Sequence, residues 1–316
     1  MPNPHINSAQ DLVTPRAEIR AGFIALALEK TKESTPIVDE ARALKALAAD
    51  AKRAQELSAI EEIQNALMTA AGLSDKAKKY LTAADKTDAV KQFIDEFLAP
   101  EGAGFVDELV YRFLLTRGDS LGGKMRNLAG RIGERRFIRM LAATCAVGGI
   151  GVKFLDAAGG EWRDGVDNAA AARVKALSWE SNAGARALVC NRSVPIVRKN
   201  VDFCLLDGAL HEASNSEAQV VMAEPNKYLA LGELKGGFDP AGADEHWKTA
   251  NSALSRIRES FNARGAAPGT FFIGAAIESA MAEEIYRQLN TGQLSNAANL
   301  TCEKQVVALC DWLIRM

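Results

Sequence analysis

The chain contains no apolar run approaching the roughly 18 residues that a membrane span needs. Its start, MPNPHINSAQDLVTPRAEIR, has no basic segment leading into an apolar stretch. Neither a membrane span nor a secretory leader is expected from this, and the expected compartment is the cytoplasm. Cysteine is sparse: the five residues at 145, 190, 204, 302 and 310 are odd in number and lack CxxC spacing. They give no disulfide framework, and most sit in apolar runs such as AATCAV and VDFCLL, where a free thiol behaves as a small hydrophobe. Histidine is rarer still, with three residues. Repeats, heptads and low-complexity tracts are missing. Net charge is almost absent too: 38 Lys and Arg against 40 Asp and Glu leave −2, with a pI near 6.1. Taken alone, that balance argues weakly against a nucleic-acid binder.

What is present is a chain of 316 residues, long enough for one large domain or two ordinary ones. A hydrophobic fraction of 48% with 25% charged residues describes a globular protein. The near-neutral total conceals an uneven distribution. Between Arg112 and Arg139 stand eight basic residues (112, 117, 124, 126, 131, 135, 136, 139) against Asp119 and Glu134, a local excess of +6 that leaves the remainder near −8. Such a stripe is an electrostatic footprint for phosphate, although a solvated helix face has the same composition.

Residues 1–117 read as a helical region. Asp39 to Leu57 is rich in Ala, Leu, Lys, Arg and Glu, Ser74 has the character of an N-cap for SDKAKKYL, and a helix over about 84–98 should stop before Pro100. Phe105 to Thr116 places Val106, Leu109, Val110, Phe113 and Leu114 on one face. At Gly118 a glycine-bearing turn is expected to open a long helix through Cys145. After Gly148 the texture becomes strands: VKFLD, AARVKALSW, ALVCN, VDFCLL, QVVMAE, YLALGEL and FFIGAAI. Helices over about 243–264 and 281–289 interrupt and follow them. The expected class is α/β (α+β), a helical N-terminal region followed by a mixed region, 118–316, built on one central sheet.

Two sets of residues invite a chemical reading. Gly118-Asp119-Ser120-Leu121 spells the nucleophile block of the GDSL esterases, but there the serine follows a strand and is served by an Asp-x-x-His. Here the block falls between helices, and the residue three before His246 is Ala243. Asp119 or Ser120 is better read as the cap of the following helix, with exposed amides able to hold a phosphate. The second set is Asp202 with Glu233-Leu234-Lys235. Asp202 sits in the apolar strand NVDFCLL, and Glu233 and Lys235 end another, YLALGELKGG. Residues two apart on a strand share a face, so Glu233 and Lys235 project together. Charged groups at the ends of hydrophobic strands are costly to bury unless they meet each other or a metal. Two carboxylates make a hard oxygen site suited to Mg²⁺, and a neighbouring lysine can orient or deprotonate a water attacking phosphorus. A salt-bridged strand end would look the same in sequence, as would Asp50-Ala51-Lys52, read here as mid-helix.

The Asp…Glu-x-Lys pattern resembles the PD-(D/E)xK nuclease superfamily, and three blocks resemble one branch of it, the AvaI/BsoBI family of type II restriction endonucleases. These are GDSLGGKMRNLAG (118–130), NVDFCLLDG (200–208) and GELKGGFDPAGADEHWKTA (232–250). The third is the most specific, because it also places Asp239 and His246. One departure from the superfamily pattern is Val201 where proline is often found. The resemblance implies a restriction-endonuclease-like fold, with a DNA-enclosing helical domain over 1–117 and a catalytic domain over 118–316. It implies a prokaryotic enzyme in which Asp202, Glu233 and the Leu234 carbonyl hold Mg²⁺, Lys235 assists the attacking water and His246 activates it. Glu134 is either an outer carboxylate for a second metal or an i,i+4 partner of an arginine on its own helix. Asp239 and one of Lys76, Lys78 and Lys79 are implied as base contacts, with Lys124, Arg126, Arg131, Arg135 and Arg136 on phosphates. The implied target is double-stranded DNA at CYCGRG, cut by a homodimer to leave four-base 5′ overhangs, with a cognate methyltransferase as functional partner. The alternatives are a repair or junction-processing nuclease without strict sequence preference, a non-catalytic DNA-binding protein, and the esterase.

Overall fold

The structure is a computed structural model that describes residues 3–125, 127–212 and 215–316, the side chains of 123–125, 212, 215 and 216 excepted. Two compact units emerge, Met1–Ile24 with Leu128–Met316, and Ala25–Asn127. The elements run α1 (Arg16–Ala48), α2 (Gln64–Ala70), α3 (Asp75–Tyr80), α4 (Ala83–Phe93), α5 (Phe105–Met125), α6 (Leu128–Val147), β1 (Val152–Asp156), β2 (Trp162–Asp164), β3 (Val174–Ser181), β4 (Gly184–Val194), β5 (Lys199–Asp207), α7 (Asn215–Ala223), β6 (Tyr228–Lys235), α8 (Ala243–Asn262), β7 (Gly269–Gly274), α9 (Ser279–Asn290), β8 (Asn296–Asn299) and α10 (Glu303–Arg315).

The smaller unit is helical. Leu57, Ile63, Leu67, Phe93, Leu98, Leu109 and Phe113 form its core. Ser74 caps α3 as expected, its hydroxyl accepting from the Ala77 amide. The helix expected over 39–57 instead begins at Arg16 and closes at Ala48. Beyond it the Glu56 carboxylate accepts from the Lys52 amide at 2.8 Å and from Arg53, which offers the backbone a local alternative to helix. Asp50 therefore lies in a turn and not within a helix.

The turn expected at Gly118 is absent, because α5 continues through Gly118, Asp119 and Ser120 to Met125. A helical glycine costs about 1 kcal/mol relative to alanine, and tertiary contacts offset it. Phe105, Leu109 and Phe113 are buried, Arg112 pairs with Glu108 at 2.6 Å, and Arg117 forks onto both oxygens of Glu40 at 2.9 and 2.8 Å. Asp119 and Ser120 are thus interior helical positions and not a cap, and their amides form no anion cradle. The serine-after-strand geometry of an esterase does not exist here.

The larger unit is built on an eight-stranded sheet ordered β2-β1-β3-β4-β5-β6-β7-β8. Pairing is antiparallel as far as β6 and parallel from β6 to β8. One face is covered by α8 and α9, whose Trp247, Leu254, Ile257 and Ile285 pack with Leu231, Cys204 and Leu206. The other is covered by α6 and α10, whose Phe137, Leu141, Leu309 and Leu313 pack with Ala230, Leu234, Phe203 and Phe271. This mixed α/β architecture with a helical N-terminal region agrees with the restriction-endonuclease-like fold. QVVMAE is helical and not a strand: Ala218, Val221 and Met222 reach the core at helical spacing, while Val220 faces out. β8, written only with Asn and Ala, has no strand propensity; parallel pairing holds it, and Asn299 donates to the Leu12 carbonyl at 2.9 Å.

Candidate active site

Asp202 lies near the start of β5 and Glu233 and Lys235 at the end of β6, strands that run antiparallel side by side with Phe203 opposite Gly232. The 30 intervening residues therefore do not separate them in space. On β6, Ala230 and Leu234 face α6 while Leu231 faces α8, so alternation sends Glu233 and Lys235 to the α8 side. Glu233 is 5% exposed, and its Oε2 lies 3.5 Å from Lys235 Nζ. Asp202 is half-buried and accepts from the Leu234 amide at 2.8 Å through Oδ2. The N–H and C=O of one strand residue point the same way, so the Leu234 carbonyl is also directed toward β5.

Burial dominates the electrostatics. It raises the Glu233 carboxyl from its ordinary 4.5 to about 7, with the Asp202 charge adding to the rise and Lys235 opposing it. Burial also raises Asp202, against the Leu234 amide, the Lys235 charge and a hydrogen bond with Glu233. Two desolvated carboxyls within hydrogen-bonding reach cannot both ionise cheaply, and a divalent cation removes that conflict. Among the described residues no three His, Cys, Asp or Glu side chains form a ready cage. A cation here would draw on two carboxylates, a backbone carbonyl and oxygens from outside the chain, a donor set that fits a hard oxygen-seeking ion.

The glycines around these residues set how closely the elements approach. A Cβ on Gly236 would stand 2.5 Å from the Ala129 carbonyl oxygen, and one on Gly133 would stand 2.9 Å from the Gly236 Cα. The first turns of α6 therefore lie directly on the end of β6. Phe137, Phe203 and Phe271 fix the contact below, with ring centroids 4.7 Å apart for the first two. This approach brings Glu134 to the site. Its Oε1 accepts from Asn191 Nδ2 of β4 at 2.7 Å, so its hydrogen-bond partner is a strand amide and not the arginine expected on its own helix. Burial raises the Glu134 carboxyl, Asn191 opposes the rise, and Asp202 adds to it.

His246 lies in the first turns of α8, on the face toward which Glu233 and Lys235 project. Its ring rests on the chain just after Lys235, since a Cβ on Gly237 would come within 2.9 Å of His246 Cε1. Neighbouring Trp247 is buried and donates to Glu284 at 2.7 Å, whereas the imidazole has no hydrogen-bond partner among the described residues. Asp239 is exposed, and one of its oxygens accepts from the Ala241 amide at 3.0 Å. Its loop is anchored by Phe238, whose ring fills the space a Cβ on Gly22 would need.

The basic stripe divides. Arg112 and Arg117 are engaged by Glu108 and Glu40 within the helical unit. Arg126 and the Lys124 side chain lie outside the described residues. Arg131, Arg135 and Arg136 stand on the first turns of α6, in the unit that holds the carboxylates. In the helical unit Lys76 and Lys79 are exposed. Lys78 instead directs its ammonium inward to Asn65 Oδ1 and Thr69 Oγ1, each at 2.8 Å. Asn191 and Arg256, whose charge also acts on Glu233, were not singled out in sequence, and no local motif marks either.

The family model described as restriction endonuclease BsobI matches residues 3–316. The chain is 50% identical over 314 residues to type II restriction enzymes AvaI of Nostoc sp. (strain PCC 7120 / SAG 25.82 / UTEX 2576) and of Anabaena variabilis, covering 99% of this chain and 98% of each relative. To type II restriction enzyme BsoBI of Geobacillus stearothermophilus it is 49% identical over 317 residues, covering 99% and 97% respectively.

Proposed function

From a chain that belongs to the BsobI restriction endonuclease family and is a type II site-specific deoxyribonuclease, we propose Mg²⁺-dependent double-strand cleavage of DNA at CYCGRG, leaving four-base 5′ overhangs. The observation that carries the metal-dependent part is the pairing of half-buried Asp202 with buried Glu233, two carboxyls in hydrogen-bonding reach beside Lys235. Asp202, Glu233 and the Leu234 carbonyl would hold Mg²⁺, whose positive charge would offset the negative charge developing on the phosphate and the leaving oxygen. Lys235 orients the attacking water, and His246 takes its proton through a neutral imidazole. Arg131, Arg135 and Arg136, with Lys124 and Arg126, position the phosphate backbone.

For base reading, Asp239 accepts from a cytosine amino group and a lysine of α3 donates to guanine O6 and N7. With its ammonium engaged by Asn65 and Thr69, Lys78 is the least suited of the three, which favours Lys76 or Lys79. A two-fold target calls for a two-fold protein, so the enzyme acts as a homodimer, with the helical region (1–117) enclosing the duplex bound to the catalytic region (118–316). It works in the prokaryotic cytoplasm, where a methyltransferase protects host DNA. No helix among the described residues is long and apolar enough to cross a membrane. The test is plasmid digestion with Mg²⁺ followed by sequencing of the fragment ends. Discrete bands with CYCGRG-derived ends are expected. A smear would favour a repair or junction-processing nuclease, and no cleavage would leave a DNA-binding role alone.

A further inference from the structure

Asn191 is one of two non-glycine residues with positive φ among those described, at +49°, a region that asparagine tolerates better than most side chains. Its place in the sheet gives the conformation a consequence. Cys190 pairs with Phe203 and Arg192 with Val201, so Asn191 stands opposite Asp202 in an unbroken register, yet these two alone drop out of the ladder between them. On the far side of this position the strands have turned over. Cys190 and Phe203 face α6, whereas Val201 and Val194 face α8, an exchange of faces that simple alternation from Phe203 and Cys190 does not produce. The left-handed residue thus stands where both strands change faces together at Asp202 without slipping. The same rotation takes the Asn191 amide across to the α6 layer, where it donates to Glu134 Oε1 at 2.7 Å. Oε2 of Glu134 has no partner among the described residues.

We propose that Asn191 is a positioning residue of the nuclease centre: its left-handed backbone sets the direction of Asp202, and its amide holds Glu134 as a third carboxylate with one oxygen free to take a water at the site. The inference rests on the nuclease reading above. The local strain is retained for function, because a residue held in a sparsely populated conformation persists only where its surroundings enforce it.

The test compares Asn191→Gly, which keeps the backbone freedom and removes the amide, with wild type and with Glu134→Gln. Asn191→Gly should unfold at the same or a higher temperature than wild type, and bind duplex DNA in EDTA within threefold of wild type. Its single-turnover cleavage rate should nonetheless fall 10- to 100-fold. In a Glu134→Gln background the same substitution should cost less than threefold more, since the amide acts through that carboxylate. Asn191→Ala, which loses both features, should be slower than Asn191→Gly and less stable. The proposal is overturned if Asn191→Gly cuts at the wild-type rate, if its effect multiplies in full with that of Glu134→Gln, or if its loss of rate is matched by a lower unfolding temperature. Failure of the wild type itself to cut with Mg²⁺ would sink the nuclease reading and this inference with it, whereas a wild type that cuts alongside an unaffected Asn191→Gly removes only the role of Asn191.

Discussion

Replacing Glu233 with glutamine should make the metal-free protein more stable at pH 8, although it removes a carboxylate of the proposed metal site. The Glu233 carboxyl is 5% exposed and its pKa is raised from 4.5 to about 7. For an acid whose pKa is raised on folding, the folded state binds the proton more tightly, so the group lowers stability as pH rises. Below the unfolded value of 4.5 it is neutral in both states and contributes nothing. Between 4.5 and about 7 the unfolded chain ionises while the folded one does not, and the cost grows to a plateau above that window. At roughly 1.4 kcal/mol per pH unit the plateau is about 3 kcal/mol. Glutamine removes that cost, from which the attraction of Lys235 is already discounted because it opposes the rise. The gain is therefore about 3 kcal/mol, or several degrees in the unfolding temperature of a unit this size. Calorimetry in EDTA from pH 4.5 to 8.5 reads it directly. The gain should be present at pH 8 and vanish at pH 4.5, and Mg²⁺ should raise the wild-type unfolding temperature more than that of the variant. A variant no more stable than wild type at pH 8, or one equally stabilised at pH 4.5, would refute the reasoning.

Asp202→Ala and Lys235→Ala should each lower cleavage by at least about 10³-fold while specific DNA binding persists, because in the proposed mechanism each group serves only the chemistry; a gel-shift and single-turnover comparison decides, and a variant cutting at the wild-type rate places the site elsewhere. Gly236→Ala, whose Cβ would sit 2.5 Å from the Ala129 carbonyl oxygen, should part α6 from β6, cost about 1–3 kcal/mol in urea unfolding and slow cleavage, whereas Gly130→Ala, with open space around it, should be neutral or slightly stabilising. Arg131→Ala should weaken binding alike for all duplexes and reduce the slope of log K against log salt by about 1. Lys78→Met should destabilise the helical unit by about 1–2 kcal/mol through the lost bonds to Asn65 and Thr69, with site preference unchanged.

The sequence by itself determined the class of fold and singled out the candidate residues Asp202, Glu233 and Lys235. Strand alternation put Glu233 and Lys235 on one face, and hydrophobic strands around charged residues marked Asp202 as exceptional; both are local properties that a pattern of period two records. Helix ends written in side chains, such as the Ser74 cap, were legible for the same reason. Where local propensity competed with packing, it misled. Gly118 looked like a turn and lies within α5, because the burial of Phe105, Leu109 and Phe113 holds that helix in place and outweighs the preference of one glycine. QVVMAE looked like a strand and is helical, because its core contacts recur at helical spacing. Only the tertiary structure decided that Arg112, Arg117 and Lys78 are engaged by partners, that Gly133 and Gly236 bring α6 onto β6, and that Asn191 faces Glu134 across 57 residues of chain. Those outcomes depend on which distant groups the folded chain brings within a few ångströms of one another, and no window of neighbouring residues contains that information.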